Sequence, residues 1–184
     1  MTNQNIIQRL LDRSRQLYSE DDIQRAIARM AASINAELAQ QDLVILCVMK
    51  GGIPFTAALM SRLAQPLQLD YVHATRYGDK LQGGEIHWLA KPTTELANRT
   101  VLVADDIYDE GHTLAAIVQY CWQQGAQQVK TAVLVNKLHQ RKIAGFNVDY
   151  VGLTVPDEYV FGFGMDCEGL GRNLNAIYAL QTDE

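Results

Sequence analysis

The segment VLVADDIYDEGHTL, from Val101 to Leu114, holds the residues best suited to chemistry. An apolar run ends in Asp105 and Asp106. Asp109 and Glu110 follow, and Gly111, His112 and Thr113 lead into a helical pattern. Adjacent carboxylates repel one another unless something cationic or rich in hydroxyls satisfies them. A ribose or a hard cation such as Mg2+ would do so. The turn after them has the opposite character. Where a helix begins, its first N–H groups lack partners and the helix dipole adds partial positive charge, which together make an anion site, most simply for a phosphate. Gly111 permits close backbone approach, and Thr113 offers a hydroxyl. Taken alone, DEGHT reads equally well as an Asp/Thr-capped helix with no ligand. The Asp105–Asp106 pair shifts the reading to two sites in series: carboxylates for sugar hydroxyls, then amides for the phosphate of that sugar.

Such a loop needs a strand ending beneath it and a helix starting beyond it. TVLVADDI reads as a buried strand, and TLAAIVQYCWQQG as a helix that Gly125 ends. LVILCVM, from Leu43 to Met49, is a nearly continuous apolar run, the pattern of a strand buried on both faces. KGGIPFTAALMSRLA follows as a glycine turn and a helix. LQLDYVHAT alternates like a strand, RYGDKLQGGE is a polar glycine-bearing loop, and EIHWLA is a short strand. VKTAVLVN and VDYVGLT are further strands, and YVFGFGMDCEGLGRNLNAIYAL mixes a strand with loops. Near the N-terminus, IIQRLLDRSRQLY carries apolar residues at helical spacing. Ser19, with Asp22 three residues on, makes a capping-box start to a second helix. Strands alternating with helices imply an α/β fold with a doubly wound, mainly parallel sheet. The N-terminal helices and the chain after about Val155 are expected to form a small hood over its carboxyl edge. Ligands on such sheets bind beyond the carboxyl ends of the strands, where both Lys50-Gly51-Gly52 and Asp105-Asp106 stand.

The chain has 184 residues, enough for one domain with a substantial core, expected to span 1–184. Hydrophobic content of 48% and charged content of 20% are ordinary for a soluble protein. A net charge of −5 argues against a nucleic-acid binder. No apolar run approaches the roughly 20 residues of a membrane span. The N-terminal segment lacks the core of a signal peptide. Cys47, Cys121 and Cys167 make neither a metal motif nor a disulfide framework. Together these point to the reducing cytoplasm. The cysteines read as inert core thiols, Trp88 and Trp122 as packing residues, and His73, His87 and His139 as no ligand cluster.

VLVADDIYDEGHTL closely resembles the phosphoribosyl diphosphate signature of the type I phosphoribosyltransferases. From about Val44 to its end the chain resembles the hypoxanthine-guanine phosphoribosyltransferases. The resemblance implies a type I core and a purine salvage reaction. The 5-phosphoribosyl group would pass from phosphoribosyl diphosphate to hypoxanthine or guanine, giving IMP or GMP and diphosphate. Asp105, Asp106, Asp109, Glu110, Gly111, His112 and Thr113 would hold the phosphoribosyl diphosphate. Asp109, matching a residue that faces N7 of the purine, would be the general base. VMKGGIPF resembles the diphosphate loop, with Lys50 and Gly51 joined by an expected cis peptide. Arg172, in GLGRNL, matches the diphosphate-binding arginine, whose guanidinium suits bidentate recognition.

The same resemblance assigns the purine. Lys137 would donate to its 6-oxo group, and a cationic donor favours a 6-oxopurine over adenine, whose amino group is itself a donor. In DEYVFGFGMD, Tyr159 would stack on the base and backbone groups at Val160 would read its Watson–Crick edge. Asp166 would offer a backbone carbonyl to the 2-amino group of guanine. Its carboxylate, with Asp105 and Asp106, would hold a metal, implied to be Mg2+. TRYGDKLQGGEIHW takes the place of the mobile loop that covers the site. It begins Arg76-Tyr77 where the family commonly has Ser-Tyr, and the role of Arg76 stays open. Expected partners are the two small substrates and further copies of the chain, as a homodimer or homotetramer, with no nucleic acid and no membrane. Two alternatives are a xanthine-preferring enzyme and a non-catalytic regulator that senses phosphoribosyl diphosphate. A regulator that binds nucleic acid would carry a basic patch or an added segment. Neither is visible, and the presence of both Asp109 and Lys137 favours catalysis.

Overall fold

The computed structural model describes residues 2–76 and 86–181. In chain order its elements are α1 (Asn3–Asp12), β1 (Ser14–Tyr18), α2 (Glu20–Glu37), β2 (Leu43–Val48), α3 (Gly52–Met60), β3 (Leu67–Arg76) and β4 (Ile86–Ala90). They continue with β5 (Thr100–Tyr108), α4 (His112–Gln123), β6 (Gln128–Lys137), β7 (Tyr150–Val155), β8 (Val160–Phe161) and β9 (Ile177–Leu180). Six strands form one sheet in the order β4-β3-β2-β5-β6-β7. Every neighbouring pair is parallel except β3–β4.

Strand alternation explains the two layers. Leu43 and Ile45 of β2 face one hydrophobic cluster with Ile27, Ile34, Phe55 and Leu59 of α2 and α3. Val44, Leu46 and Val48 face the other, with Leu114, Ile117 and Cys121 of α4. Helices therefore cover both faces, and the apolar runs of β2 and β5 follow from double burial. The chain winds from β2 to β3 in one direction and from β5 to β6 and β7 in the other. The reversal falls between β2 and β5, the switch point where the carboxyl ends of such sheets open a crevice. Cys47 pairs with Ala104. The loop after β2 thus leaves the sheet beside Asp105 and Asp106.

The second helix starts as expected. Ser19 Oγ accepts from the Asp22 amide at 3.3 Å, and the Ser19 amide donates back to Asp22 Oδ2 at 3.0 Å. Gly125, at φ 80°, follows the last turn of α4. The N-terminal expectation needs correction. Helical spacing in IIQRLLDRSRQLY suggested one helix, but α1 stops at Asp12 and Ser14–Tyr18 is a strand. Ser14 pairs with Leu180 and Arg15 with Ala179. Distant β9 thus overrides the local helical preference of a short polar segment.

The hood is the antiparallel sheet β1-β9-β8. Of the two N-terminal helices expected in it, α2 instead packs on the main sheet, because Ile23, Ile27 and Ile34 give it an apolar face that the core buries. The turn after β8 presses on the core at Gly164, φ 104°, where an added Cβ would meet the Gly51 carbonyl at 2.0 Å. The three cysteines are buried, and burial pushes the Cys121 thiol up to about 12. Trp88 packs against Tyr120 with ring centroids 5.0 Å apart. Trp122, expected to pack, is instead half exposed on the outer face of α4. Among the described residues, no helix is long and apolar enough to cross a membrane.

Candidate active site

The crevice at the switch point holds a cleft of about 390 Å³. Every residue expected to contact phosphoribosyl diphosphate lines it: Lys50 and Gly51 after β2, Asp105 and Asp106 at the end of β5, and Asp109, Glu110, Gly111, His112 and Thr113 around the start of α4. Arg172 reaches in from the hood. A larger recess of about 730 Å³ lies at the amino ends of β2, β3 and β5, among Asp42, Gln68, Thr94 and Arg99. It lacks the convergent carboxylates and helix start of the crevice, so size alone does not mark the site.

Asp105 and Asp106 are neighbours in low-dielectric surroundings. Burial, then the charge of Asp106, holds the Asp105 carboxyl well above the usual carboxylate range. Burial also raises Asp106, against the pull of a hydrogen bond with Asp105 and the charge of Arg172. A cation or hydroxyl donors would relieve both the burial and the repulsion. Gly51 makes this arrangement possible, because a Cβ there would lie 1.7 Å from Asp106 Oδ2. The expected cis peptide is present but one bond earlier, at Met49–Lys50 rather than Lys50–Gly51. Which of two neighbouring amides is inverted has no counterpart in residue type.

At the other wall, α4 begins without a side-chain cap and without an acidic residue in its first turn. Gly111 sits at φ 90°, and a Cβ there would meet the Tyr108 ring at 2.4 Å. Only glycine lets the turn fold back onto Tyr108 and aim the first amides of α4 at the cleft. His112, the first residue of that helix, lies 3.8 Å from Glu110 and is partly exposed.

Asp109 is gripped from the segment after β6. Lys137 Nζ donates to its Oδ2 at 2.9 Å. His139 Nε2 meets its Oδ1 at 2.6 Å. Lys142 Nζ donates to the carbonyls of Tyr108 and Asp109, both at 3.1 Å, and to Asn136 Oδ1 at 2.8 Å. Burial alone would raise the Asp109 carboxyl. The hydrogen bonds from Lys137 and His139 outweigh it and hold the group below its ordinary value. The sequence reading did not find His139 or Lys142. The one available signal was spacing: His139 stands two residues beyond Lys137, on the same side of an extended chain.

The purine residues expected after β7 cluster around Asp166. Arg172 Nη2 pairs with Asp166 Oδ1 at 2.5 Å, and Nη1 donates to the Gly164 carbonyl at 2.6 Å. The Gly169 amide donates to Asp166 Oδ2 at 2.8 Å. The Asp166 carboxylate is therefore engaged, and the structure does not gather it with Asp105 and Asp106. Among the described residues, no three His, Cys, Asp or Glu side chains form a ready metal cluster. Tyr159 is exposed, and its hydroxyl donates to the Asp166 carbonyl at 3.2 Å. Val160 pairs with Ala179, while the Leu180 amide donates to the Tyr159 carbonyl at 2.8 Å. That makes Val160–Ala179 a non-hydrogen-bonded pair, so the amide and carbonyl of Val160 point away from β9. Of TRYGDKLQGGEIHW, expected as the loop that covers the site, Thr75 and Arg76 end β3 and Ile86 to Trp88 begin β4, while residues 77–85 lie outside the described residues.

The chain is similar to known proteins over most of its length. Residues 14–168 match the model of the phosphoribosyl transferase domain family. A hypoxanthine-guanine phosphoribosyltransferase of Staphylococcus epidermidis is 33% identical over 168 residues, covering 91% of this chain and 93% of that protein. A bifunctional TilS/HprT protein of Listeria innocua is 32% identical over 91% of this chain, which spans 26% of that longer protein. A crystal structure of a hypoxanthine phosphoribosyltransferase from Staphylococcus aureus superposes with a TM-score of 0.86 at 27% identity, covering 91% of each chain.

Proposed function

Because the chain belongs to the phosphoribosyl transferase domain family, we propose that it transfers the 5-phosphoribosyl group from phosphoribosyl diphosphate to hypoxanthine or guanine. The products are IMP or GMP and diphosphate. One observation carries this reading: a carboxylate pair, Asp106 buried and Asp105 partly so, faces an uncapped helix start across one cleft, with the Lys137–Asp109 pair at its edge. The names of the relatives support the choice of a 6-oxopurine.

In this reading the first amides of α4 bind the 5-phosphate, and Thr113 adds its hydroxyl. Lys50, Gly51 and Arg172 face the diphosphate. Asp105 and Asp106 take the ribose hydroxyls. Their hard oxygen donors and raised carboxyls also suit Mg2+, which when bound would neutralise charge on the departing diphosphate. Asp166 stays with Arg172, so its share is the carbonyl it offers to the purine 2-position. Tyr159 stacks on the base, and the outward amide and carbonyl of Val160 read its edge.

When the purine enters, Lys137 turns from Asp109 to the 6-oxo group. The N7–H proton then passes to the Asp109 carboxylate. The N9 lone pair forms the bond to C1′ of the ribose, and the C1′–O bond breaks with its electron pair leaving on diphosphate. The fixed negative charge around the cleft stabilises the electron-poor sugar between these events. Self-association as a homodimer or homotetramer draws support from an apolar hollow of about 420 Å³ that includes Ile53, Met60, Leu69 and Tyr71. A cytoplasmic setting agrees with three unpaired cysteines.

Steady-state rates with hypoxanthine, guanine, xanthine and adenine, in the presence of Mg2+ and phosphoribosyl diphosphate, test the proposal. Turnover of hypoxanthine or guanine with adenine rejected is expected. Tight binding of phosphoribosyl diphosphate with no turnover of any base would instead identify a sensor, and turnover led by xanthine would identify the related xanthine enzyme.

A further inference from the structure

His139 has three properties that together exceed a packing role. Its side chain is 2% exposed, although it stands in a polar segment, HQRK, beyond the end of β6. Its Nδ1 accepts the Arg141 amide at 3.0 Å. Its Nε2 lies 2.6 Å from Asp109 Oδ1. A neutral imidazole has one donor nitrogen and one acceptor nitrogen. With Nδ1 accepting from a backbone amide, the proton sits on Nε2, and Nε2 donates to Asp109. The backbone of Arg141 thus sets the tautomer, and Arg141 is itself anchored by a two-pronged pair with Asp157 at 2.6 and 2.7 Å. Lys142, one residue further on, holds the Asp109 carbonyl.

The two groups on the Asp109 carboxylate differ in mobility. Lys137 is a flexible ammonium that the proposed reaction requires to leave for the purine. His139 is a buried ring with its other nitrogen already committed. Once Lys137 turns away, Oδ2 loses its partner and Oδ1 keeps one. A carboxylate held at one oxygen presents the other in a fixed direction, which is what a proton acceptor needs.

We propose that His139 is the positioning residue for Asp109: as a neutral Nε2–H donor to Oδ1 it holds the carboxylate so that Oδ2 alone faces the purine proton when Lys137 departs. This rests on the reading of Asp109 as the proton acceptor. His139 touches neither substrate in this account and acts only through Asp109.

The test measures the single-turnover rate of nucleotide formation, and separately phosphoribosyl diphosphate affinity, in His139→Phe, His139→Gln, Asp109→Asn and the double variant Asp109→Asn/His139→Phe. Phe keeps a ring and loses the donor, whereas Gln returns a donor near the reach of Nε2. His139→Phe should lower the rate about 10–100-fold, on the scale of a misplaced catalytic group, with affinity retained. His139→Gln should recover part of that loss. The double variant should be no slower than Asp109→Asn alone, because residues that act as a unit are not additive. In the unaltered protein, long-range proton–nitrogen correlation spectra should show the Nε2–H tautomer at neutral pH, a result that does not depend on any variant folding. Multiplying losses in the double variant overturn the proposal, as does a fast His139→Phe beside a slow Asp109→Asn, or a proton found on Nδ1. A fast Asp109→Asn removes the proton-acceptor reading itself, and His139 then has nothing to position.

Discussion

An oxygen of the Asp106 carboxylate lies against the α-carbon of Gly51, so close that a methyl group at position 51 would fall within 1.7 Å of it. The loop after β2 and the end of β5 are therefore fitted to each other at atomic range across the switch point. A Gly51→Ala change must push Asp106 aside or open the loop. Misplacing a binding group by about 1 Å costs on the order of 10²-fold. We expect kcat/KM for phosphoribosyl diphosphate to fall by about that factor while the protein stays folded. A Gly51→Ala protein with full activity would show that Asp106 is not held where the account needs it.

Lys137 gives a pH prediction as well as a specificity one. Burial pushes the Asp109 carboxyl up, and the hydrogen bonds from Lys137 and His139 bring it below its ordinary value. The proton-accepting form is the carboxylate, and a lowered pKa keeps it charged to lower pH. Removing Lys137 removes part of that lowering, so Lys137→Met should move the acidic limb of the kcat/KM profile to higher pH. The same change should raise KM for hypoxanthine and guanine and erode the preference over adenine. An acidic limb that stays fixed, with unchanged purine selectivity, would place Lys137 outside the purine site.

The hydroxyl of Tyr159 donates to the Asp166 carbonyl at 3.2 Å, the acceptor proposed for the 2-amino group of guanine. Hypoxanthine lacks that amino group. Tyr159→Phe keeps the aromatic face and frees one lone pair of the carbonyl. A neutral hydrogen bond is worth about 0.5–1.5 kcal/mol net, so guanine should gain about 2–10-fold over hypoxanthine in kcat/KM. Equal changes for the two purines would mean that this carbonyl does not contact the 2-position.

Sequence pattern reached the core and the cleft because both are written in local features. The double burial of β2 and β5 shows as unbroken apolar runs, and the start of α4 shows as glycine and threonine after acids. What it missed depends on distant partners. Ser14–Tyr18 becomes a strand only because β9 lies beside it, more than 150 positions along the chain. His139 becomes a partner of Asp109 only once the segment after β6 folds back over the turn after β5. There Lys142 binds the carbonyls of Tyr108 and Asp109, and the Ile143 amide donates to the Glu110 carbonyl at 2.9 Å. The ion pair of Arg172 with Asp166 is likewise a contact that residue order does not show.

The proposed function divides the labour: Asp109 would move a proton, and backbone amides would hold the phosphate. Asp109→Asn keeps the shape of the side chain but cannot take up a proton at neutral pH. General acid–base catalysis contributes about 10²–10⁴-fold. Single-turnover nucleotide formation by Asp109→Asn, measured beside direct binding of phosphoribosyl diphosphate, should show a loss in that range with affinity essentially retained. A near-normal rate accompanied by lost affinity would contradict the account and make Asp109 a ribose or loop residue.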